Sequence, residues 1–298
     1  MHDSAWSERI PGVLEIIHPD LHTLPIVLAS PHSGCEYPPE FLSASRLGPM
    51  AIRRSEDAFV DRIAAVGPEH GAPLIKALFP RAYLDVNREA YELDPDMFDG
   101  RLPPFVNSVS PRASIGLGTI PRIVGHDQPI YAGKLSFAEA QSRIDRLYYP
   151  YHARLEGLVR DTRMRFGVCV LMDCHSMPTP SAPGFARPDI VLGDGFGATC
   201  ATEIAETAER IFSKSGLMVE RNRPYAGGFT TRHYGRPKIG VHTLQIEIAR
   251  SLYMDEETLT PSSGVQRLGA VLARVIDAIA RLDLPLAHAP TPALRAAD

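Results

Sequence analysis

The sequence predicts an α/β fold, a mostly parallel or mixed sheet covered by helices on both faces. Three observations point to it: short apolar runs bounded by turn residues, helical periodicity in the stretches between them, and the alternation of the two along the chain. The predicted strands are LPIVLAS (24–30), APLIKALF (72–79), AYLDVN (82–87), GVCVLMDCH (167–175), DIVLGD (189–194) and VHTLQIEIA (241–249). Each is a run of six to nine residues rich in Val, Ile and Leu, too short for an independent helix and flanked by Gly, Pro, Asn or Asp. Helices are expected over 55–71, 136–167, 197–216 and 263–282, where apolar residues recur three and four apart.

Residues 90–135 break this rhythm. They carry Pro103, Pro104, Pro111, Pro121 and Pro129, several glycines and little periodicity, so they read as a long loop-rich insertion, with GLGTIPRIV and PIYAG forming a wall or lid over a site. The last residues, after Leu286, read as a frayed end. With no internal repeat and no low-complexity linker, a single catalytic domain over 1–298 is expected.

Composition excludes several functions. A net charge of −4 argues against nucleic acid as a partner, which requires a basic face. No apolar run approaches the roughly 20 residues that span a bilayer, so no membrane partner is expected. The first residues carry acids and a Pro where a secretion signal has a basic start and an apolar stretch, and a cytoplasmic location is the expectation. Cys35, Cys169, Cys174 and Cys200 show no paired spacing and read as reduced thiols.

The chemistry is concentrated at strand ends. LPIVLAS runs into PHSGCEYP and delivers His32 just past a buried strand; GVCVLMD runs into CHS and delivers His175 in the same way. Ligands of open α/β sheets bind at that carboxyl edge. Two imidazoles there can share a metal ion, since a catalytic Zn²⁺ takes three protein ligands and keeps a position open. A third ligand is then needed, and Glu36 and Asp57 compete for it by sequence; Asp57 could equally cap the helix after it. Asp173 could orient His175 from behind. In FPRAYLDVNRE, Arg81 or Arg88 with Asn87 offers a planar fork and an amide for a substrate carboxylate, unless the arginine is only part of a surface ion pair. GGFTTRHYG adds Arg232 on a glycine-rich turn. In LQIEIA, Glu247 lies on the face opposite Leu244, Ile246 and Ile248, where it could serve as a general base.

Taken together, SPHSG, the acid of SEDAFVDRI, PRAYLDVNR, MDCHS, GGFTTRHYG and LQIEIARSLYM, in that order over roughly 24–255, resemble the N-formylglutamate amidohydrolases. That resemblance implies a fold similar to zinc carboxypeptidases and aspartoacylase, and a single divalent metal ion, Zn²⁺, held by His32, Asp57 and His175. It implies Asn87 and Arg88 at the substrate carboxylate and Glu247 as the base. The chain departs from the carboxypeptidase pattern at Cys35, which stands where the Glu of a His-x-x-Glu motif would be, from the Asp-Leu-Asn-Arg segment of aspartoacylase-type enzymes at Val86, and from the family's usual Trp or Tyr after the acid at Ala58.

The expected activity is removal of a formyl group from N-formyl-L-glutamate, or of a similar small acyl group from an acidic amino acid, in histidine degradation. The partner is thus a small anionic substrate, gripped by Arg88 and Arg232; oligomeric state is not legible. Three rivals share the sequence features: an aminoacylase or peptidase taking a larger acyl group, a metal-free binding protein, and a thiol hydrolase using Cys174.

Overall fold

The computed structural model describes residues 6–125, 128–179 and 188–284. Its centre is an eight-stranded mixed sheet made of β1 (Trp6–Ile10), β2 (Leu14–His18), β3 (Ile26–Ser30), β4 (Leu74–Ala77), β5 (Cys169–Met177), β6 (Ile190–Gly193), β7 (Val219–Arg221) and β8 (Val241–Ala249). The spatial order is β1-β2-β4-β3-β5-β8-β6-β7. The central strands β4, β3, β5 and β8 are parallel, and antiparallel pairs flank them at β2/β4 and β8/β6.

Five predicted strands are present: those at 24–30, 72–79 and 189–194 are trimmed, 241–249 is as expected, and 167–175 starts two residues later and runs on to Met177. The N-terminal hairpin was not anticipated, although Pro11-Gly12 between two partly apolar runs is a turn signal; Gly12 adopts φ +70° there. The segment 82–87 is not a strand. Its backbone is committed elsewhere: Tyr83 and Leu84 donate to Pro80 O, Asp85 donates to Thr119 O, and Asn87 N–H donates to the Asp85 carboxylate. A short acid that can bond its own chain two residues on competes with a ladder, and here it wins.

The principal helices are α1 (Val60–Ala64), α2 (Phe137–Arg143), α3 (Tyr149–Phe166), α4 (Thr202–Lys214), α5 (Phe229–Tyr234) and α6 (Gly264–Ile279). The helix expected over 55–71 is broken into short pieces, because Phe59 takes φ +66° and Gly67-Pro68 interrupts the second turn. The long helix expected over 136–167 is present as α2 and α3 joined by a π-helical stretch, Ile144–Tyr148.

Strand parity sorts the core into two layers. Val170, Met172 and Cys174 of β5 face α1, α4 and α6, together with Leu244, Ile246 and Ile248 of β8. Leu171 faces the other side, against Tyr151, Leu155 and Val159 of α3. Each fully buried Val, Leu or Ile contributes about 1.5–3 kcal/mol, so a one-residue slip in either strand would forfeit most of a layer. The register is therefore fixed, and with it the face that Asp173 and His175 occupy. The insertion folds against the second layer with little regular structure beyond the 3-10 turn Pro95–Met97, the short helix Pro111–Ser114 and the pair Ile123–Val124/Gln128–Pro129. The tail after Leu286 lies outside the described residues.

Candidate metal centre and its cavity

His32, Asp57 and His175 meet at the carboxyl edge of the parallel strands, all three buried. β3 and β5 run parallel with Ala29 beside Asp173, so His175, two residues further along β5, and His32, two residues past the end of β3, reach the same edge. Asp57 is not in a helix. Its backbone N–H donates to His32 O at 3.0 Å, which latches the acid's segment onto the turn that carries the histidine.

The three inward atoms form a nearly equilateral triangle. His32 Nδ1 to His175 Nδ1 and His175 Nδ1 to Asp57 Oδ2 are each 3.1 Å, and His32 Nδ1 to Asp57 Oδ2 is 3.3 Å. A tetrahedral Zn²⁺ with ligands at about 2.0–2.1 Å has ligand–ligand edges of about 3.3 Å. The donor set therefore fits such an ion in both chemistry and size.

The outward nitrogen of His32 explains why its inward one is a lone pair. His32 Nε2 lies 2.7 Å from Asp85 Oδ1, and that carboxylate also accepts from Arg81 at 2.8 Å. Burial alone would raise the Asp85 pKa, but the charge of Arg81, then His32 and Arg88, holds it well below the usual range. An ionised Asp85 only accepts, so His32 Nε2 carries the proton and Nδ1 is free to ligate. His175 Nε2 lies 3.0 Å from Asp173 Oδ2, an ion-pair contact off the line of a hydrogen bond, and 3.3 Å from Asn87 Nδ2. Burial opposes a charge on His175, yet Asp173 and Asp57 outweigh it and raise its pKa well above the ordinary value. The cluster thus attracts positive charge. Asp57 itself is held well below the usual carboxylate range, against burial, by His175 and His32.

Asp57 Oδ1, the oxygen turned away from the triangle, accepts from Ser176 Oγ at 3.0 Å and from Arg250 Nη2 at 3.3 Å. Arg250 also donates to Ser176 Oγ and to Arg54 O, so each of its three guanidinium nitrogens makes a bond that braces the centre. Neither Arg250 nor this bracing was inferred from sequence; an Arg placed directly after a buried strand at the carboxyl edge was the available signal.

A cavity of about 320 Å³ opens beside the triad. Glu247 lines it, next to His175 in the β5/β8 register and on the same sheet face. Burial pushes its carboxyl up to about 7, with Asp57 adding to the shift while His175 and Arg81 oppose it. Asn87 and Arg88 also line the cavity, but both are largely spoken for. Asn87 Oδ1 accepts from Thr230 N at 2.8 Å, and Arg88 donates to Leu117 O at 2.8 Å and Asn87 O at 2.7 Å. Arg54 and Arg112 reach the same cavity from exposed positions and have no hydrogen-bond partner for their side chains among the described residues. Leu117, Pro121, Ile123 and Val124 of the insertion form one wall.

Three expectations change. Arg232 does not line the cavity; it sits exposed on α5 and donates to Gly227 O at 3.1 Å. The glycine-rich turn supplies backbone instead, from Gly227 and Gly228. Glu36 is excluded as a ligand by position, since it pairs with Arg9 at the surface. Cys174 points to the opposite layer of the sheet, where burial raises its thiol pKa, so it cannot act as a nucleophile in this cavity.

A family model for N-formylglutamate amidohydrolase matches residues 24–254. An N-formylglutamate deformylase of Pseudomonas putida is 27% identical over 241 residues, covering 78% of this chain and 83% of the relative. A crystal structure of N-formylglutamate amidohydrolase from Ralstonia eutropha JMP134 is 36% identical with a TM-score of 0.84, covering 90% of this chain and 97% of that one. A gene product of Agrobacterium tumefaciens, 19% identical, shares the fold with a TM-score of 0.66 over 87% of this chain and 91% of its own.

Proposed function

The chain belongs to the N-formylglutamate amidohydrolase family and is a hydrolase of that family; from this premise we propose that it is a zinc-dependent deformylase acting on N-formyl-L-glutamate. The observation that carries the metal dependence is the triangle of Nδ1, Nδ1 and Oδ2 atoms, whose edges suit a tetrahedral ion; behind it the outward nitrogen of His32 is bonded to Asp85 and that of His175 lies 3.0 Å from the Asp173 carboxylate. Two imidazoles and a carboxylate are a donor set that favours Zn²⁺ over Mg²⁺ or Ca²⁺.

When bound, the ion supplies Lewis-acid polarisation of the formyl carbonyl and acidifies water. Glu247, beside the triad, takes the proton of the attacking water and passes it to the leaving amine, with formate and glutamate as products. Its ordinary acidity would leave it a weak base; burial brings it near neutrality, where it can do both. Arg81, anchored on Asp85 yet lining the cavity, is placed to stabilise the developing oxyanion.

An anionic substrate is supported by the cavity's guanidinium groups, Arg54 and Arg112 at its mouth and Arg81 and Arg88 deeper in. A small acyl group is supported by the cavity's modest volume and the wall of Leu117, Pro121, Ile123 and Val124. The test is formate release from N-formyl-L-glutamate by protein of known metal content, before and after chelation, with N-acetyl- and peptidyl-glutamates in parallel. Formate release that stops on chelation and returns with Zn²⁺ establishes the reading. Release of acetate or peptide in preference to formate replaces it with an aminoacylase or peptidase, and activity indifferent to chelation removes the metal from it.

A further inference from the structure

We infer that Gln245 is a positioning residue for the base: it fixes the Glu247 carboxylate and ties it to the glycine-rich turn that lines the cavity. The inference rests on the reading of Glu247 as the base.

Gln245 and Glu247 are two residues apart on β8 and so share a sheet face, turned toward the cavity. Gln245 is buried, and its amide orientation is not arbitrary. Gly228 N approaches it at 2.8 Å, and a backbone N–H can only donate. The atom facing Gly228 is therefore Oε1, which Thr231 Oγ1 also approaches at 3.4 Å. Nε2 is then directed to Glu247 Oε1, 2.9 Å away. Reversing the amide would set N–H against N–H on one side and carbonyl against carboxylate on the other.

Gly228 is held in turn. A Cβ built there would collide with the Asn87 amide, so the turn packs directly on a side chain that also receives Thr230 N–H and touches His175 Nε2. A chain of contacts thus runs from the cavity-lining turn through the Gln245 amide to one oxygen of Glu247. A glutamate side chain has three rotatable bonds, and its proton transfers depend on angle as well as distance. Pinning Oε1 leaves Oε2 as the oxygen for proton transfer and removes the carboxylate's freedom to swing toward Arg81.

The test compares Gln245→Met, which keeps volume and removes both polar ends, with Gln245→Glu, which keeps an acceptor for Gly228 N–H and lacks the amide donor. Both are read by thermal denaturation, zinc content, steady-state kinetics on N-formyl-L-glutamate and crystal structures. The expected result is kcat lowered about 10- to 100-fold in both, KM within about twofold, full zinc content, and a Glu247 carboxylate rotated from its wild-type position. In a Glu247→Gln background the same replacements change the residual kcat by less than about twofold, because the group they act through is gone. An equal loss in both backgrounds, or an unmoved carboxylate with unchanged kcat, overturns the inference, and failure of both variants to fold assigns Gln245 a structural role and overturns it as well. If the wild type releases no formate, the substrate reading falls, while the crystallographic comparison still decides whether Gln245 holds Glu247.

Discussion

Arg250 Nη2 lies 3.3 Å from Asp57 Oδ1, on the side of the carboxylate opposite the histidines. One oxygen of Asp57 is thereby occupied by a fixed cation and a hydroxyl, and the other is left for the triad. Arg250→Met should weaken zinc binding about 10- to 100-fold while leaving the fold intact, read by competition with a chromogenic chelator. Unchanged affinity would show that the brace is dispensable.

The histidines themselves set a harder limit. With His32→Ala or His175→Ala, two protein donors remain, and zinc after dialysis should fall to less than about a tenth of stoichiometric. Formate release should fall about a thousandfold or more. A variant that keeps both metal and activity would mean that the triangle is not the metal centre.

Glu247→Gln preserves shape and removes the proposed base. The expected loss is about 10²- to 10⁴-fold in kcat with zinc retained, which separates the proton-transfer role from ligation.

The same residue sets a pH dependence. A general base works ionised, so with its carboxyl raised to about 7 by burial, kcat/KM should be full above that pH and decline below it. The acid limb should be missing from the residual activity of Glu247→Gln. An acid limb unaltered in that variant would assign it to another group.

Gly228→Ala tests the turn. The backbone there, φ −90°, suits any residue, so the obstacle is space: the new Cβ collides with the Asn87 amide. Relief requires moving Asn87 or the turn, at about 1–3 kcal/mol, with a loss of kcat/KM of about tenfold or more. Thermal denaturation and kinetics on one preparation would separate the two effects.

Strand identity and the face of Glu247 were legible because β5 and β8 are apolar runs with strict parity, and parity survives folding. The histidines were legible because each stands at the carboxyl end of a buried apolar run, His32 two residues past β3 and His175 near the end of β5. What escaped is what depends on long-range partners. α5 contains two threonines after Gly-Gly and reads as a loop; Asn87 and Gln245, distant in sequence, accept N–H groups at its start and allow it to form. Arg232 looked like a binding residue because the turn was polar, and only the direction of α5 shows that it faces away. Spacing alone could not rank Glu36 against Asp57; the latch of Asp57 N–H on His32 O places Asp57 beside the histidines, while Glu36 pairs with Arg9 at the surface.

The insertion that lines one side of the cavity contributes Leu117, Pro121, Ile123 and Val124 but none of the triad and not Glu247. In the proposed deformylase, catalytic parts and acyl-group selection are thus carried by separate stretches of chain. Drift or deliberate exchange within the insertion can enlarge or reshape the room for the acyl group while the reactive centre stays as it is, a route by which one scaffold can change diet without relearning its chemistry.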